Sequence, residues 1–403
     1  MSILSKILSN RGLAVRLQTA FKFIKYIIYL HIWRDFLAML DINFFKKYLN
    51  LSPKEEFLIK LYVSQAVTKE QIFRLLYDFD YNIEKEKLTF NFLLANLFLN
   101  NPHIEIPKDI KPRLEGVLRL FQYNNVPLML GLKQLTQELN KQNVPVMLVK
   151  GSAMRILEPD KARMMYDVDC AVPKDKFNET VEIGKKLGFK VRKIYWNAAE
   201  IIKKDKQVID VHHTLVKSDI NSDKIYKRIF ERAKEYDFYG SKVLIACVED
   251  MIFLLLNNGF DNIIYSQPFY KNVSWLLDGV YIIKKNKNIN WKFIIENAQY
   301  TGTLAQTKIM LELFNRFVPN TVSENILSSI NISEKQQKDF NFYTKTHLFF
   351  SKAQQLKIKM RKCRSFSDGI NLFSRFLYLK MIQKIPVINN LFFEKVADRM
   401  FEI

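Results

Sequence analysis

Glycine and proline are scarce in this chain of 403 residues, with only 11 of each, against usual shares of about 7% and 5%. Turns are therefore few, which disfavours a β-sandwich or barrel and favours long helices. Cysteine is scarcer still. Cys170, Cys247 and Cys363 are the three present, widely spaced and without a CxxC pair, so neither a disulfide framework nor a zinc site is indicated and a reducing, cytosolic compartment is expected. No apolar run approaches the roughly 18 residues of a membrane-spanning helix; the nearest, Tyr26 to Trp33, is interrupted by His31. The first residues also lack the apolar core and small-residue cleavage site of a signal peptide. Negative charge is in deficit, with 41 Asp and Glu against 62 Lys and Arg and a net charge of +21, so the protein is drawn to anions. At 48% hydrophobic and 13% aromatic residues it is too apolar for a disordered basic tail and long enough for two or three folded domains.

Apolar residues recur at three- and four-residue spacing from Ser2 to about Asn140, as in Phe57, Leu58, Leu61 and Tyr62, which predicts helices. Leu51 to Phe57 reads as a helix start, with Ser52 as cap, Pro53 at the first helical position and Glu55 and Glu56 in the first turn. The character changes at Val144 to Lys150, a β-branched run that stops at Gly151 and predicts a first strand. A second strand is expected over Tyr166 to Val172, then a helix ending at Gly188, then short strands over Phe189 to Tyr195, Ala198 to Lys203 and Gln207 to His213. From about Val248 the helical period returns. The expectation is an α+β protein, helix-dominated overall: a helical region over 1–125, a core with a small mixed sheet and helices on one face over 126–245, and a helical region over 246–403.

Three carboxylates fall in that sheet. Asp167 and Asp169 are two apart on one strand and so share a face, with Cys170 on the other as a core thiol; Asp210 stands on a later strand, with His212 on its face and His213 turned away. Like charges side by side repel unless a cation lies between them, and clustered carboxylate oxygens suit Mg²⁺. If the sheet gathers all three, they can hold two Mg²⁺ ions about 3.5 to 4 Å apart, the arrangement used for in-line attack at phosphorus. Upstream, Lys150, Gly151 and Ser152 mark a strand-to-helix junction where backbone amides can receive a triphosphate. Arg163 offers a planar fork of donors for phosphate oxygens.

These residues resemble the DNA polymerase β-like nucleotidyltransferase superfamily, and more closely its bacterial "uncharacterised nucleotidyltransferase" branch. The likeness lies in LVKGSAM at Leu148 to Met154, RMMYDVDCAV at Arg163 to Val172 and VIDVHHTL at Val208 to Leu215, with further likeness in the helices from Val248 to Gly302, and it covers about Gln142 to Leu313. It implies a nucleotidyltransferase core and a Mg²⁺-dependent enzyme that moves a nucleoside monophosphate from a nucleoside triphosphate to an acceptor it does not identify: protein, small molecule, sugar intermediate or RNA. Asp167 and Asp169 become metal ligands, Asp210 the third carboxylate, and Gly151 with Ser152 the triphosphate turn; Lys150, Arg163 and His212 match positions with less defined roles. Two departures stand out. The 14 residues between Ser152 and Asp167 exceed the superfamily's usual gap, and Asn257 and Asn258 stand where a His is expected.

Plainer readings stand beside these. His212 can orient Asp210 within the sheet, Lys150 can be a strand-end charge reaching solvent, and Arg163 can pair with Asp160 or Glu158. Trp275 and Asp278 read as packing and capping residues. Residues 1–50 carry an excess of six positive charges and 341–403 an excess of eight, interleaved with aromatics. That is the composition of helices on an anionic membrane surface or polymer, or of amphipathic helices packed on the core. A different class of function, an inactive nucleotidyltransferase fold serving as a basic binding module at the membrane or on nucleic acid, follows from the same flanks.

Overall fold

A computed structural model describes residues 51–340, apart from 65, 160–162, 196, 204–206, 217, 219, 265–268, 335, 338 and 339. The chain divides into two compact units, 1–341 and 342–403. Both basic flanks, with the expectations placed on them, lie outside the described residues.

The first helix, α1 (Pro53–Val63), starts as its sequence dictates: Ser52 Oγ accepts the Glu55 amide at 3.2 Å, and Glu55 returns to the Ser52 amide at 2.9 Å. After α2 (Lys69–Phe73) and the apolar α3 (Leu88–Asn100) comes α4 (Lys111–Lys141), 31 residues long. It runs unbroken through position 126, where a boundary between helical region and core was expected. The reason is that one helix serves both: its C-terminal half buries Leu128, Leu132, Leu135 and Leu139, at helical spacing, against the sheet.

The sheet comprises β1 (Met147–Val149), β2 (Val168–Ala171), β3 (Lys190–Ile194), β4 (Ala198–Lys203), β5 (Gln207–His212), β6 (Lys234–Phe238) and β7 (Ser241–Ile245), in the order β3-β4-β5-β2-β1-β7-β6. Helix α5 (Lys150–Leu157) follows β1 directly, α6 (Phe177–Lys186) lies between β2 and β3, and α7 (Ser222–Arg232) precedes β6. Pairs β1–β7 and β2–β5 are parallel and the others antiparallel. Val168, Cys170, Ile209 and Val211 point to the face covered by α4 and α6, which leaves Asp169 and Asp210 on the other face by strand alternation.

Five strands were expected and seven are present among the described residues. The two missed, β6 and β7, form a hairpin whose loop is Tyr239 and Gly240, both at positive φ. That turn was a legible signal. The β6 residues KEYDF, however, start with two exposed charges at a sheet edge and show apolar alternation only in Tyr236 and the buried Phe238, too short a run to stand out.

Helices α8 (Val248–Ile264), α9 (Phe269–Lys285), α10 (Trp291–Tyr300), α11 (Leu304–Phe317) and α12 (Glu324–Ser329) complete the described chain. Asp250 of α8, fully buried, accepts Arg232 of α7 at 2.7 and 3.0 Å and Asn297 of α10 at 3.2 Å, tying these helices to the core. Trp275 is buried against Phe314 as a packing residue. Gly259 lets α9 approach, because a Cβ there would lie 2.5 Å from the Trp275 ring and 2.8 Å from Met310. Gly259→Ala is expected to destabilise the protein by about 1–3 kcal/mol through overpacking, read as a lowered thermal midpoint. No helix among the described residues is long and apolar enough to cross a membrane.

Candidate active site

Parallel pairing of β2 with β5 sets Asp169 directly beside Asp210. The cross-strand row continues through β4, whose Glu200 lies opposite Asp210. Two neighbouring acids on one face need compensation, and the structure supplies it unevenly. Asp169, 8% exposed, accepts Lys150 Nζ at 2.6 Å and His212 Nε2 at 2.9 Å on the same oxygen. Burial pushes its carboxyl up, but the Lys150 ammonium and the His212 hydrogen bond outweigh that and hold it below the usual carboxylate range. The reverse holds for Lys150: burial opposes its charge, and Asp169, with Asp167 and Asp210, more than restores it.

Asp210 is supported less: the Lys150 charge favours its ionised form but is outweighed. Its Oδ1 is buried without a hydrogen-bond partner among the described residues. Burial first, then the charges of Asp169 and Asp167, push its pKa up to about 7. His212 hydrogen-bonds to Asp169, where the sequence reading had it orient Asp210. Because β5 runs parallel to β2, His212 sits beyond Asp210, opposite Ala171, and its ring reaches across to the acid on the neighbouring strand. His213 packs edge-on against Phe177 of α6, on the opposite face.

Ligand atoms of Asp169, Asp210 and His212 lie within 4.8 Å of one another. Asp167 is outside that group. It stands on a bend just before β2, half-buried, and lines the same cavity as Asp169, Asp210, Lys150 and Gly151, a space of about 150 Å³.

The junction of β1 and α5 departs in detail from its sequence reading. Lys150, not Gly151, takes the left-handed backbone, with φ at 52°, a costly conformation for a residue with a Cβ. It brings the ammonium over Asp169. The Ser152 hydroxyl is fully buried and donates to the carbonyls of Val149, at 2.7 Å, and Asp169. That side chain joins helix to sheet, so what the turn offers a ligand is backbone amide: α5 has no side-chain cap.

Arg163 also lines the 150 Å³ cavity, and its Nη2 pairs with Asp278 of α9. Asp278 stands in the interior of that helix, so it is a charge partner and not a cap. Nothing near Arg163 in sequence suggests a partner 115 residues away. Both side chains are largely buried, at 14% and 7% exposure. Removing one partner leaves an uncompensated charge, so Arg163→Ala is expected to cost about 3–5 kcal/mol, and Arg163→Met combined with Asp278→Leu much less; denaturant unfolding of the single and double variants measures the coupling. Cys170 is fully buried behind the acids, and burial pushes its thiol up, away from nucleophilic use.

No curated protein sequence matches the chain. Among solved structures, that of the antibiotic-resistance factor ANT(2'')-Ia in solution is similar at 12% identity and a TM-score of 0.31, covering 47% of this chain and 91% of that one. The crystal structure of an antigenic nucleotidyltransferase-like protein from Paracoccidioides brasiliensis is similar at 14% identity and a TM-score of 0.34, covering 51% and 91%. Neither overlap is extensive enough to add to what the sheet shows. The sequence match is broader: the model of the uncharacterised nucleotidyltransferases takes in residues 55–319, from α1 to the end of α11 with the whole sheet between, and the chain belongs to that family of transferase enzymes.

Proposed function

We propose that this protein transfers a nucleoside monophosphate from a nucleoside triphosphate to a hydroxyl-bearing acceptor, with Mg²⁺ as cofactor. The observation that carries this is the pairing of Asp169 with Asp210 in one cavity, with one Asp210 oxygen buried and unsatisfied. Such an oxygen is costly unless something binds it. Two carboxylates fit a divalent cation by donor chemistry, and the carboxylate of Asp167 lines the same cavity. When bound, the cation supplies charge neutralisation at the α-phosphate and the leaving pyrophosphate.

The chain's own groups do the rest. Amides at the start of α5 and the nearby Lys150 receive the triphosphate, and Arg163, already neutralised by Asp278, contributes direction more than net charge. Asp210, titrating near neutrality in the free site, takes the acceptor's hydroxyl proton. The acceptor oxygen bonds to the α-phosphorus, and the bond to the bridging oxygen breaks, so that pyrophosphate leaves with the electron pair.

Gly151 tests the placement of the triphosphate. A Cβ there would meet only ordinary contacts, the nearest being Arg163 Nε at 3.5 Å, so folding does not require glycine. Gly151→Ala is expected to leave the thermal midpoint unchanged or slightly raised, since alanine favours a helix by up to about 1 kcal/mol. It is also expected to weaken Mg-nucleotide binding roughly tenfold by blocking close approach. Calorimetric titration with each nucleoside triphosphate and Mg²⁺ measures this. Absence of binding by the wild-type protein to all four nucleotides overturns the proposed function.

A further inference from the structure

A second cavity of about 270 Å³ shares Lys150, Asp210, Leu255, Asn258 and Asn262 with the first. One wall is α8, where Met251, Leu254, Leu255, Asn258, Asp261 and Asn262 recur at helical spacing and so present one stripe, apolar along its first two turns and polar along the last. Leu148, Ala153 and Ala198 continue the apolar lining, while Asn197 adds an amide and His212 an imidazole. Among the described residues lining it, Lys150 is the only Lys or Arg, and its ammonium is held by Asp169 at 2.6 Å. The smaller cavity differs. Arg163, Gly151, Asp167 and Asp169 line it and not the larger one.

We infer that the larger cavity is the acceptor site, and that the acceptor is a small alcohol with a partly apolar body and no phosphate or carboxylate group. This rests on the nucleotidyl-transfer reading above. Helix-start amides and an arginine place the triphosphate in the smaller cavity, so a hydroxyl in the larger one meets the Asp210 carboxylate from the opposite side, as in-line displacement requires. An anionic acceptor would lie beside the Asp210 carboxylate, and among the described lining residues the one Lys or Arg, Lys150, is already held by Asp169. Nucleic acid fails on the same ground, since its affinity comes from Lys and Arg set against phosphates. Neutral amide and apolar surface recognise uncharged hydroxyl compounds, with Asn197, Asn258 and Asn262 giving direction.

The test uses the full chain, Mg²⁺ and α-phosphate-labelled ATP, CTP, GTP and UTP, with extract from the source cells divided by ultrafiltration and then by an anion exchanger. Label is expected in the small-molecule filtrate, on an acceptor that passes the exchanger unretained. Leu254→Trp, which fills the cavity from a half-buried wall position away from the smaller one, is expected to cut that labelling at least about tenfold while leaving Mg-nucleotide affinity within about twofold. The inference is overturned if label appears on protein, RNA or an exchanger-retained compound, if Leu254→Trp transfers as well as wild type, or if wild-type protein binds nucleotide but labels nothing. Failure of the wild-type protein to bind any nucleotide is a separate result, directed at the transfer reading itself.

Discussion

Asp169→Asn is expected to lower nucleotidyl transfer by roughly 10³-fold, equivalent to about 4 kcal/mol of transition-state stabilisation. Asp169 is the acid that the fold keeps ionised, with Lys150 and His212 on one oxygen, and asparagine keeps the shape while removing the charge a cation needs. The cost to folding is much smaller. Lys150 retains 34% of its side-chain exposure and can turn to water, and the amide oxygen still accepts one hydrogen bond. A loss of about 1–2 kcal/mol is expected, or a few degrees in thermal midpoint. Rapid-quench single-turnover transfer of labelled nucleotide, set beside a melting curve, separates the two effects. Transfer within tenfold of wild type in this variant would make Asp169 a structural partner of its neighbours and nothing more.

Asp210→Asn is expected to abolish transfer to a similar extent and yet stabilise the metal-free protein above neutral pH. Below about pH 4 the carboxyl is protonated in folded and unfolded chains alike and costs nothing. Its pKa rises from 3.8 to about 7 on folding. Between those values the unfolded chain releases the proton while the folded chain retains it, so wild-type stability falls as pH rises through that window and the penalty is complete above it. Asparagine carries no such penalty. The variant should therefore melt a few degrees above wild type at about pH 8 and level with it at about pH 4. Mg²⁺ should raise the wild-type midpoint at about pH 8 more than that of the variant, because a cation relieves the repulsion between ionised Asp169 and Asp210. Melting curves at the two pH values, with and without Mg²⁺, measure all of this; a variant that is destabilised at both would contradict the assigned role of burial and neighbouring charge.

Much of the fold was legible because local rules set it. Ser52, Pro53 and Glu55 specified the start of α1 by chemistry confined to one turn. The alternation of Val168, Asp169 and Cys170 gave the two faces of β2 before any partner strand was known. What escaped was set by partners distant in sequence. Strand β7 is a five-residue run whose place beside β1 depends on a pairing across nearly a hundred positions, and β6 is a short edge strand held by its hairpin and by the burial of Phe238. The ion pair of Arg163 with Asp278 joins the core to α9, and no spacing rule reaches so far.

The candidate site divides in the same way. The sequence alone determined that acids of one sign would crowd one face of a sheet behind a Lys-Gly-Ser turn, because side-chain alternation and the strand-to-helix change are local properties of the backbone. Only the tertiary structure decided which acid is neutralised. Parallel pairing of β2 with β5 set Asp169 next to Asp210, carried His212 across to Asp169 and left an Asp210 oxygen without a hydrogen-bond partner among the described residues, and the left-handed turn at Lys150 placed its ammonium on Asp169. Charge compensation at a few ångströms depends on strand register and helix placement, which sequence spacing does not contain.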